Sequence, residues 1–135
     1  MSGPAILIVE DNEADVAFFR EALEASGTRA GLHVVRDGQD AMKFLTRRPP
    51  HDRAPRPDVV VLDLNLPLKN GHEVVREMAA DPGLRTIPVA ILTTSTSETH
   101  VCQAYPGRCA YFVKTDEFDR LQHIIRQILH IAVKA

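Results

Sequence analysis

Cysteine is scarce in this chain, charge is nearly balanced, and long apolar runs are absent. Its two cysteines, Cys102 and Cys109, lack metal-site spacing to the histidines, so we expect small buried thiols in a reducing compartment. A formal charge of −2 argues against a nucleic-acid partner or an anionic membrane surface. No apolar run approaches the ~20 residues that cross a membrane, and no signal-type core opens the sequence, which predicts a cytoplasmic protein.

What remains is the composition of an ordinary globular domain. The 135 residues are 44% hydrophobic and 25% charged. This length suffices for a sizeable core but leaves little room for a second one. We therefore expect a single domain over 1–135, with a core from about 4 to 133.

Strand-like and helix-like patterns alternate along the chain. The apolar runs predict strands at 5–9, 32–35, 59–63, 87–93 and 111–113. Helical spacing predicts helices after Asn12, around 41–45, at 71–80, at 97–105 and at about 117–133. Five βα repeats without a hairpin signal predict a parallel sheet covered on both faces.

The segment 47–57 interrupts this alternation. It carries four arginines and four prolines and is longer than the ~2–6 residues that usually join a helix to a strand. We expect an extended surface loop. It is either a tolerated, solvated insertion or a loop that docks a partner through its arginines.

Acidic residues follow two of the predicted strands. The run Val59–Leu62 is typical of a strand buried on both faces, and Asp63 follows it. The first strand likewise ends at Glu10 and Asp11. Because the carboxyl ends of parallel strands share one edge, these three carboxylates should converge, and they repel one another unless a cation joins them. An oxygen-only ligand set favours Mg²⁺, or Mn²⁺, over zinc.

These positions carry a family resemblance over nearly the whole chain. It rests on Glu10-Asp11, Asp63, Pro67, Gly71, Thr93 and Lys114, each at its expected place relative to the predicted strands. In this order the sequence resembles the receiver domain of two-component response regulators. The resemblance implies a flavodoxin-like, doubly wound (βα)5 fold of the α/β class, with a five-stranded parallel sheet in the order 2-1-3-4-5. It also implies a phosphorelay receiver without an output domain.

A narrower resemblance concerns the partner. The Arg/Pro-rich loop, Thr93-Thr94-Ser95 and Ala104-Tyr105 are similar to single-domain receivers that partner phytochrome-type histidine kinases. Without an output domain, such a receiver acts by contact with a downstream target, passes its phosphoryl group to a histidine phosphotransferase, or drains phosphate from its kinase. It is a signalling protein that catalyses only its own phosphorylation and dephosphorylation.

The resemblance assigns the metal site and the phosphoacceptor. Asp63 would accept a phosphoryl group from a kinase phosphohistidine. Asp11, Asp63 and the backbone carbonyl of Asn65 would ligate Mg²⁺, and Glu10 would do so directly or through water. Metal and phosphoryl group would then neutralise each other, as transfer requires.

The resemblance also assigns residues that bind the phosphoryl group and respond to it. Lys114 and the Thr93 hydroxyl would each contact a phosphoryl oxygen. Tyr111 matches the switch aromatic, whose ring follows the hydroxyl of Thr93. Asn65 and Ser95 would tune how water reaches the acyl phosphate.

One position departs from the family pattern. The family lysine usually precedes a proline in a cis peptide, whereas Lys114 precedes Thr115. A cis bond before a non-proline residue costs about 2.5–4 kcal/mol. We therefore expect a trans bond, which leaves the reach of Lys114 to be established.

The last helix has a wide apolar face. Its apolar residues cover an arc of roughly 200°, against the ~100° that a core-facing stripe needs. We expect the surplus edge, Ile124 and Ile131, to be exposed in a monomer. This favours a homodimer through Ile124, Ile128 and Ile131, with a monomer that exposes an apolar edge, or a kinase-docking face, as the alternatives.

Three other functions share parts of this pattern. A haloacid-dehalogenase-type phosphatase needs a second aspartate two residues after its nucleophile, where this chain has Asn65. A flavodoxin-like cofactor binder needs a phosphate-binding loop after its first strand, where this chain is acidic. A phosphorylation-independent pseudo-receiver that acts only as an interaction module is the main alternative, and the complete set of acidic, hydroxyl and lysine positions disfavours it.

Overall fold

The computed structural model describes residues 3–133 as a parallel sheet between two layers of helices. Its strands are β1 (Ala5–Val9), β2 (Gly31–Val35), β3 (Val59–Leu62), β4 (Val89–Thr93) and β5 (Cys109–Val113). Its helices are α1 (Glu13–Ala25), α2 (Gly38–Leu45), α3 (Gly71–Ala80) and α4 (Phe118–Val133), with a 3₁₀ helix at Thr99–Ala104. The strand order is β2-β1-β3-β4-β5 and all neighbouring pairs are parallel. The predicted fold class is confirmed, while the extent of the domain over 1–135 stays a prediction whose ends lie outside the described residues.

The central strand β3 explains why an unbroken apolar run is needed. All four of its residues are buried. Val60 and Leu62 belong to the core shared with α2 and α3, whereas Val59 and Val61 belong to the core shared with α1 and α4. Successive side chains of a strand point to opposite faces, so both faces of β3 are covered.

Side-chain caps start the helices that follow the strands. Asn12 begins α1 by accepting a hydrogen bond from the backbone N–H of Asp15 at 3.0 Å. Asp37 begins α2 in the same way, and Asn70 begins α3 through a capping box with Glu73. Such caps satisfy backbone donors that have no partner within the helix. They fix the loops at the carboxyl edge of the sheet.

The segment 97–105 forms less helix than its sequence predicts. Only Thr99–Ala104 is helical, as a 3₁₀ helix without a side-chain cap, and Val101 is its only buried residue. The preceding run of serines and threonines competes for backbone hydrogen bonds, which weakens a helix start. With one buried residue, the 3₁₀ helix also has little apolar surface to hold a longer helix against the sheet.

The prediction of two separate cysteine thiols is wrong. Cys102 of the 3₁₀ helix and Cys109, the first residue of β5, form a disulfide with a Cα–Cα distance of 5.3 Å. The turn at Pro106-Gly107 folds the chain back so that the two side chains meet. The pairing also removes the basis for inferring a reducing compartment from these cysteines.

We expect the disulfide to contribute measurably to stability. The loop that it closes is short, with a sequence separation of 7. Loop-closure entropy then predicts that reduction lowers the free energy of unfolding by about 2 kcal/mol. Urea unfolding with and without a reductant measures this difference. The control is a variant with both Cys102→Ser and Cys109→Ser, whose stability should not change when the reductant is added. Equal stability of the oxidised and reduced protein would contradict the expectation.

The Arg/Pro-rich segment is an irregular surface loop, as predicted, but it is anchored. His51 Nε2 lies 2.7 Å from Asp40 Oδ1 of α2, and its ring packs on Phe44 at a centroid distance of 5.3 Å. Arg56 donates to the backbone carbonyl of Gly83 at 2.6 Å. The loop is therefore held against α2 and against the turn that follows α3.

The wide apolar face of α4 is used within the domain more fully than its sequence predicts. Ile124 is 7% exposed and Ile128 is fully buried, so the expectation that Ile124 is exposed in a monomer is wrong. The reason is that α4 packs against α1 as well as against the sheet, which requires a broader stripe. Ile131 is half-buried. Within residues 3–133, no helix has the length and apolar character needed to span a bilayer.

Candidate functional site

Three carboxylates converge at the carboxyl edge of the sheet, as predicted. Oxygens of Glu10, Asp11 and Asp63 lie within 4.8 Å of one another. The cause is strand register: Val9 of β1 pairs with Leu62 of β3, so the residues that follow them emerge side by side. Glu10 and Asp63 are buried, at 4% and 6% exposure, while Asp11 is exposed. Two carboxylates of the group are therefore shielded from water, and the third is open to it.

Lys114 contacts two of these three carboxylates. It follows β5, and its Nζ is 2.7 Å from Glu10 Oε1 and 2.9 Å from Asp63 Oδ2. A third carboxylate, Asp15 Oδ2 of α1, lies 2.7 Å from the same nitrogen. Burial alone would lower the pKa of Lys114, but its hydrogen bonds to Asp15, Glu10 and Asp63 outweigh burial and raise the pKa above its ordinary value. The ammonium is therefore charged at neutral pH.

Asp15 is the site residue that sequence reasoning missed. Its sequence position indicates only an acidic residue in the first turn of α1, where such residues are common. The available signal is its placement: α1 starts at the carboxyl edge of the sheet, so its first turn borders the acidic group.

Burial disfavours the charged form of Glu10. Burial, the largest effect, raises its pKa, and the neighbouring charge of Asp63 raises it further. Hydrogen bonds from Lys114 and from the backbone N–H of Asn12, at 3.1 Å, oppose this rise without cancelling it. A divalent cation bound beside Glu10 would likewise oppose the rise in its pKa.

The Lys114–Thr115 peptide is trans, as predicted. The cis peptide bond within residues 3–133 is at Pro49–Pro50. Lys114 nevertheless reaches Asp63, and its backbone N–H donates to the carbonyl of Thr93 at 2.7 Å. The departure from the family pattern at Thr115 therefore does not withdraw the lysine from the site.

Thr93 ends β4 with an unusual hydroxyl. Its side chain is fully buried, and its Oγ1 has no hydrogen-bond partner among the residues that the structure describes. A buried polar group without a partner costs about 1–3 kcal/mol. A hydroxyl kept in this state beside the acidic group suits a ligand that brings its own acceptor oxygens.

The loop after β3 is folded tightly around Asp63. A Cβ on Gly71 would lie 2.5 Å from the carbonyl oxygen of Asp63, so only glycine fits this close approach. The backbone N–H of Gly71 donates to Leu64 at 3.0 Å, and that of Asn65 donates to Asp63 Oδ1 at 3.2 Å. These contacts hold the carboxylate of Asp63 in place. The Asn65 side chain is exposed at the mouth of the site.

Tyr111 contacts the loop that follows β4. Its hydroxyl donates to the backbone carbonyl of Ser95 at 2.6 Å. The same loop is held from the other side by His72 of α3, whose Nε2 lies 2.6 Å from Glu98 Oε1. A movement of this loop therefore changes the environment of the Tyr111 hydroxyl.

The donors present fit a divalent metal that prefers oxygen. Glu10, Asp11 and Asp63 offer carboxylate oxygens alone, without sulfur or imidazole within the cluster. Such ligands suit Mg²⁺ and Mn²⁺. These three side chains could therefore hold the metal, with Lys114 as the charge that it would displace from Glu10 and Asp63.

The comparisons with known proteins agree with this geometry. The model of the response regulator receiver domain family matches residues 6–126. The response regulator Rcp1 of Synechocystis sp. is 44% identical over 100 residues, which are 74% of this chain and 68% of that protein.

Two similar solved structures carry the groups that the site residues suit. The Mn²⁺-bound form of Rcp1 is 38% identical with a TM-score of 0.82, covering 90% of this chain and 91% of that one. The phosphorylated cyanobacterial phytochrome response regulator RcpA is 38% identical with a TM-score of 0.84, covering 97% and 94%. Family match, identity and fold agree: the chain belongs to the response regulator receiver domain family.

Proposed function

We propose that the chain accepts a phosphoryl group on Asp63 from the phosphohistidine of a histidine kinase. The observation that carries the proposal is the meeting, at one sheet edge, of the carboxylate cluster with Lys114 and the unpartnered Thr93 hydroxyl. Each of these groups supplies what a transferring phosphoryl group needs: a nucleophile, ligands for a cation, an ammonium and a hydroxyl donor. A pseudo-receiver has no use for this complete set.

The chemistry is a displacement at phosphorus. A carboxylate oxygen of Asp63 forms the new bond to phosphorus while the bond from phosphorus to the kinase histidine breaks. Lys114 and Thr93 bind phosphoryl oxygens as charge develops on them. Glu10, Asp11, Asp63 and the backbone carbonyl of Asn65 would hold Mg²⁺, which would supply neutralising charge when bound.

The direct test uses a small phosphodonor. Incubation of the wild type with phosphoramidate and MgCl₂ should add the mass of one phosphoryl group, and EDTA should prevent the addition. Intact-mass spectrometry on quenched samples measures both. Absence of an adduct with phosphoramidate and with a phosphorylated histidine kinase would leave the pseudo-receiver as the better function.

The hydroxyl of Thr93 gives a sharper prediction. Thr93→Val removes an unpartnered buried hydroxyl, so the free energy of unfolding of the metal-free protein should rise by about 1 kcal/mol. The same change should weaken binding of trifluoroberyllate, a phosphoryl mimic, about tenfold. Urea unfolding and calorimetric titration measure the two effects, and the exposed Thr94→Val is the matched control. A less stable metal-free Thr93→Val variant would contradict the role.

The response would pass through Tyr111. Phosphorylation draws the Thr93 hydroxyl towards the phosphoryl group, and the Tyr111 ring then moves into the space that Thr93 leaves. This movement requires the Tyr111 hydroxyl to release Ser95, because the two are hydrogen-bonded in the present structure. Asn65 and Ser95, both at the mouth of the site, would set the access of water to the acyl phosphate.

The partners follow from similarity and from surfaces. RcpA is a phytochrome response regulator, which supports a phytochrome-type histidine kinase as the donor, and the chain would act in the cytoplasm. The phosphoryl group would then act through a downstream target or a histidine phosphotransferase.

A homodimer through α4 is part of the proposal, with a narrower face than its sequence indicates. Ile124 and Ile128 are buried inside the domain, so they cannot contact a second copy. The exposed Phe118, at 38%, and the half-buried Ile131 are the apolar residues of α4 that support the dimer. Sedimentation at micromolar concentration should reveal dimers. A monomer with and without phosphorylation would overturn this part.

A further inference from the structure

Asp15 differs from the other two partners of Lys114. Glu10 and Asp63 belong to the carboxylate cluster that could hold a metal, and Asp15 does not. Its side chain is 42% exposed, against 5% for Glu10 and 7% for Asp63. Yet it approaches the ammonium as closely as Glu10 does, at 2.7 Å.

We propose that Asp15 is the residue that positions the Lys114 ammonium for the phosphoryl group. An ammonium has three N–H donors, and in the present structure all three face carboxylates. A metal ion would claim Glu10, and the phosphoryl group would occupy Asp63. Asp15 is then the only carboxylate of the three left to Lys114. It keeps one donor occupied while a second turns to a phosphoryl oxygen.

The need for such a residue lies in the sequence after the lysine. Thr115 follows Lys114 in a trans peptide, so no proline ring restrains the start of this loop. A lysine side chain carries about 2 kcal/mol of rotamer entropy, which weakens any single contact that it makes. A second, fixed partner orders the lysine side chain before the phosphoryl group arrives, so less entropy is lost when the phosphoryl group binds.

Asp15 is itself well placed to restrain the lysine. Its backbone N–H donates to Asn12 Oδ1, the cap that starts α1 next to Asp11. The carboxylate therefore stands in the first turn of α1, directly after the loop that carries Asp11. Its partial exposure lets water screen its charge from the phosphoryl group, whereas its hydrogen bond to Lys114 is direct.

The test is a double-mutant cycle on trifluoroberyllate binding at saturating MgCl₂. Asp15→Asn should weaken binding about fivefold to tenfold, whereas in the Lys114→Ala background the same change should alter affinity less than about twofold. Calorimetric titration measures all four proteins. Glu13→Gln is the matched control, because Glu13 is an acidic residue of the same helical turn, has an 84% exposed side chain and does not contact Lys114.

Four results would overturn the proposal. Asp15→Asn that binds trifluoroberyllate as well as or better than the wild type would mean that Asp15 only competes for the lysine. An equal loss in both backgrounds would mean that Asp15 acts through the structure of α1, and so would an equal loss in Glu13→Gln. The inference rests on the proposed role of Asp63, so a wild type that binds no trifluoroberyllate refutes both. A wild type that binds it beside an unchanged Asp15→Asn refutes only the inference.

Discussion

Asp63→Asn should abolish phosphoryl uptake while leaving the fold intact. The amide keeps the shape of the side chain but loses the nucleophilic carboxylate, so no acyl phosphate can form. The variant should also lose most of its Mg²⁺ affinity, because one ligand of the cluster becomes neutral. Intact-mass spectrometry after incubation with phosphoramidate measures the first effect, and calorimetric titration with MgCl₂ measures the second.

The matched control is Asp116→Asn, an exposed carboxylate in the loop that carries Lys114. It should take up the phosphoryl group at the wild-type rate. The stability of Asp63→Asn gives an independent check. Glu10 and Asp63 are buried carboxylates that repel each other, and the substitution removes one of the two charges. The metal-free variant should therefore unfold at a urea concentration no lower than that of the wild type. An adduct that survives in Asp63→Asn would place the phosphoacceptor elsewhere.

Much of the site is predictable because the carboxyl ends of all strands in a parallel sheet lie at the same edge. Asp63 and Glu10 each follow an apolar run, and the register of β1 with β3 brings them together without any tertiary detail. Thr93 ends β4 and Lys114 follows the neighbouring strand β5, and the backbone N–H of Lys114 donates to the carbonyl of Thr93. The polar residue that ends a strand or directly follows it is therefore assigned to this edge from the sequence.

The features that sequence missed depend on contacts between elements. Asp15 reaches Lys114 across a sequence separation of 99, and nothing local marks it. Cys102 and Cys109 meet only because a turn folds the 3₁₀ helix against β5. Ile124 is buried because α4 packs on α1 as well as on the sheet, which the periodicity of one helix cannot reveal.

Lys114→Met should lose about half of its destabilising effect when metal is added, since a tenfold gain in affinity is worth about 1.4 kcal/mol. In EDTA, Glu10 and Asp63 lose the cation that neutralises them, and breaking such a buried pair costs about 3 kcal/mol of unfolding free energy. With MgCl₂, the metal no longer competes with the ammonium for these two carboxylates. Mg²⁺ should then bind about tenfold more tightly than to the wild type, and stabilise the variant accordingly.

The comparison that isolates this effect is Lys69→Met. Lys69 pairs with Glu77 in a more exposed setting, where such pairs contribute about 0–1 kcal/mol. Lys69→Met should lower the free energy of unfolding only slightly, and by the same amount in EDTA and in MgCl₂. Urea unfolding of both variants in both buffers gives the four differences needed. If Lys114→Met loses the same free energy in each buffer, metal and lysine do not share Glu10 and Asp63, and the metal must sit on Asp11 away from the ammonium. The lysine would then be a fixed structural cation, and the phosphoryl group would have to bind without displacing its partners.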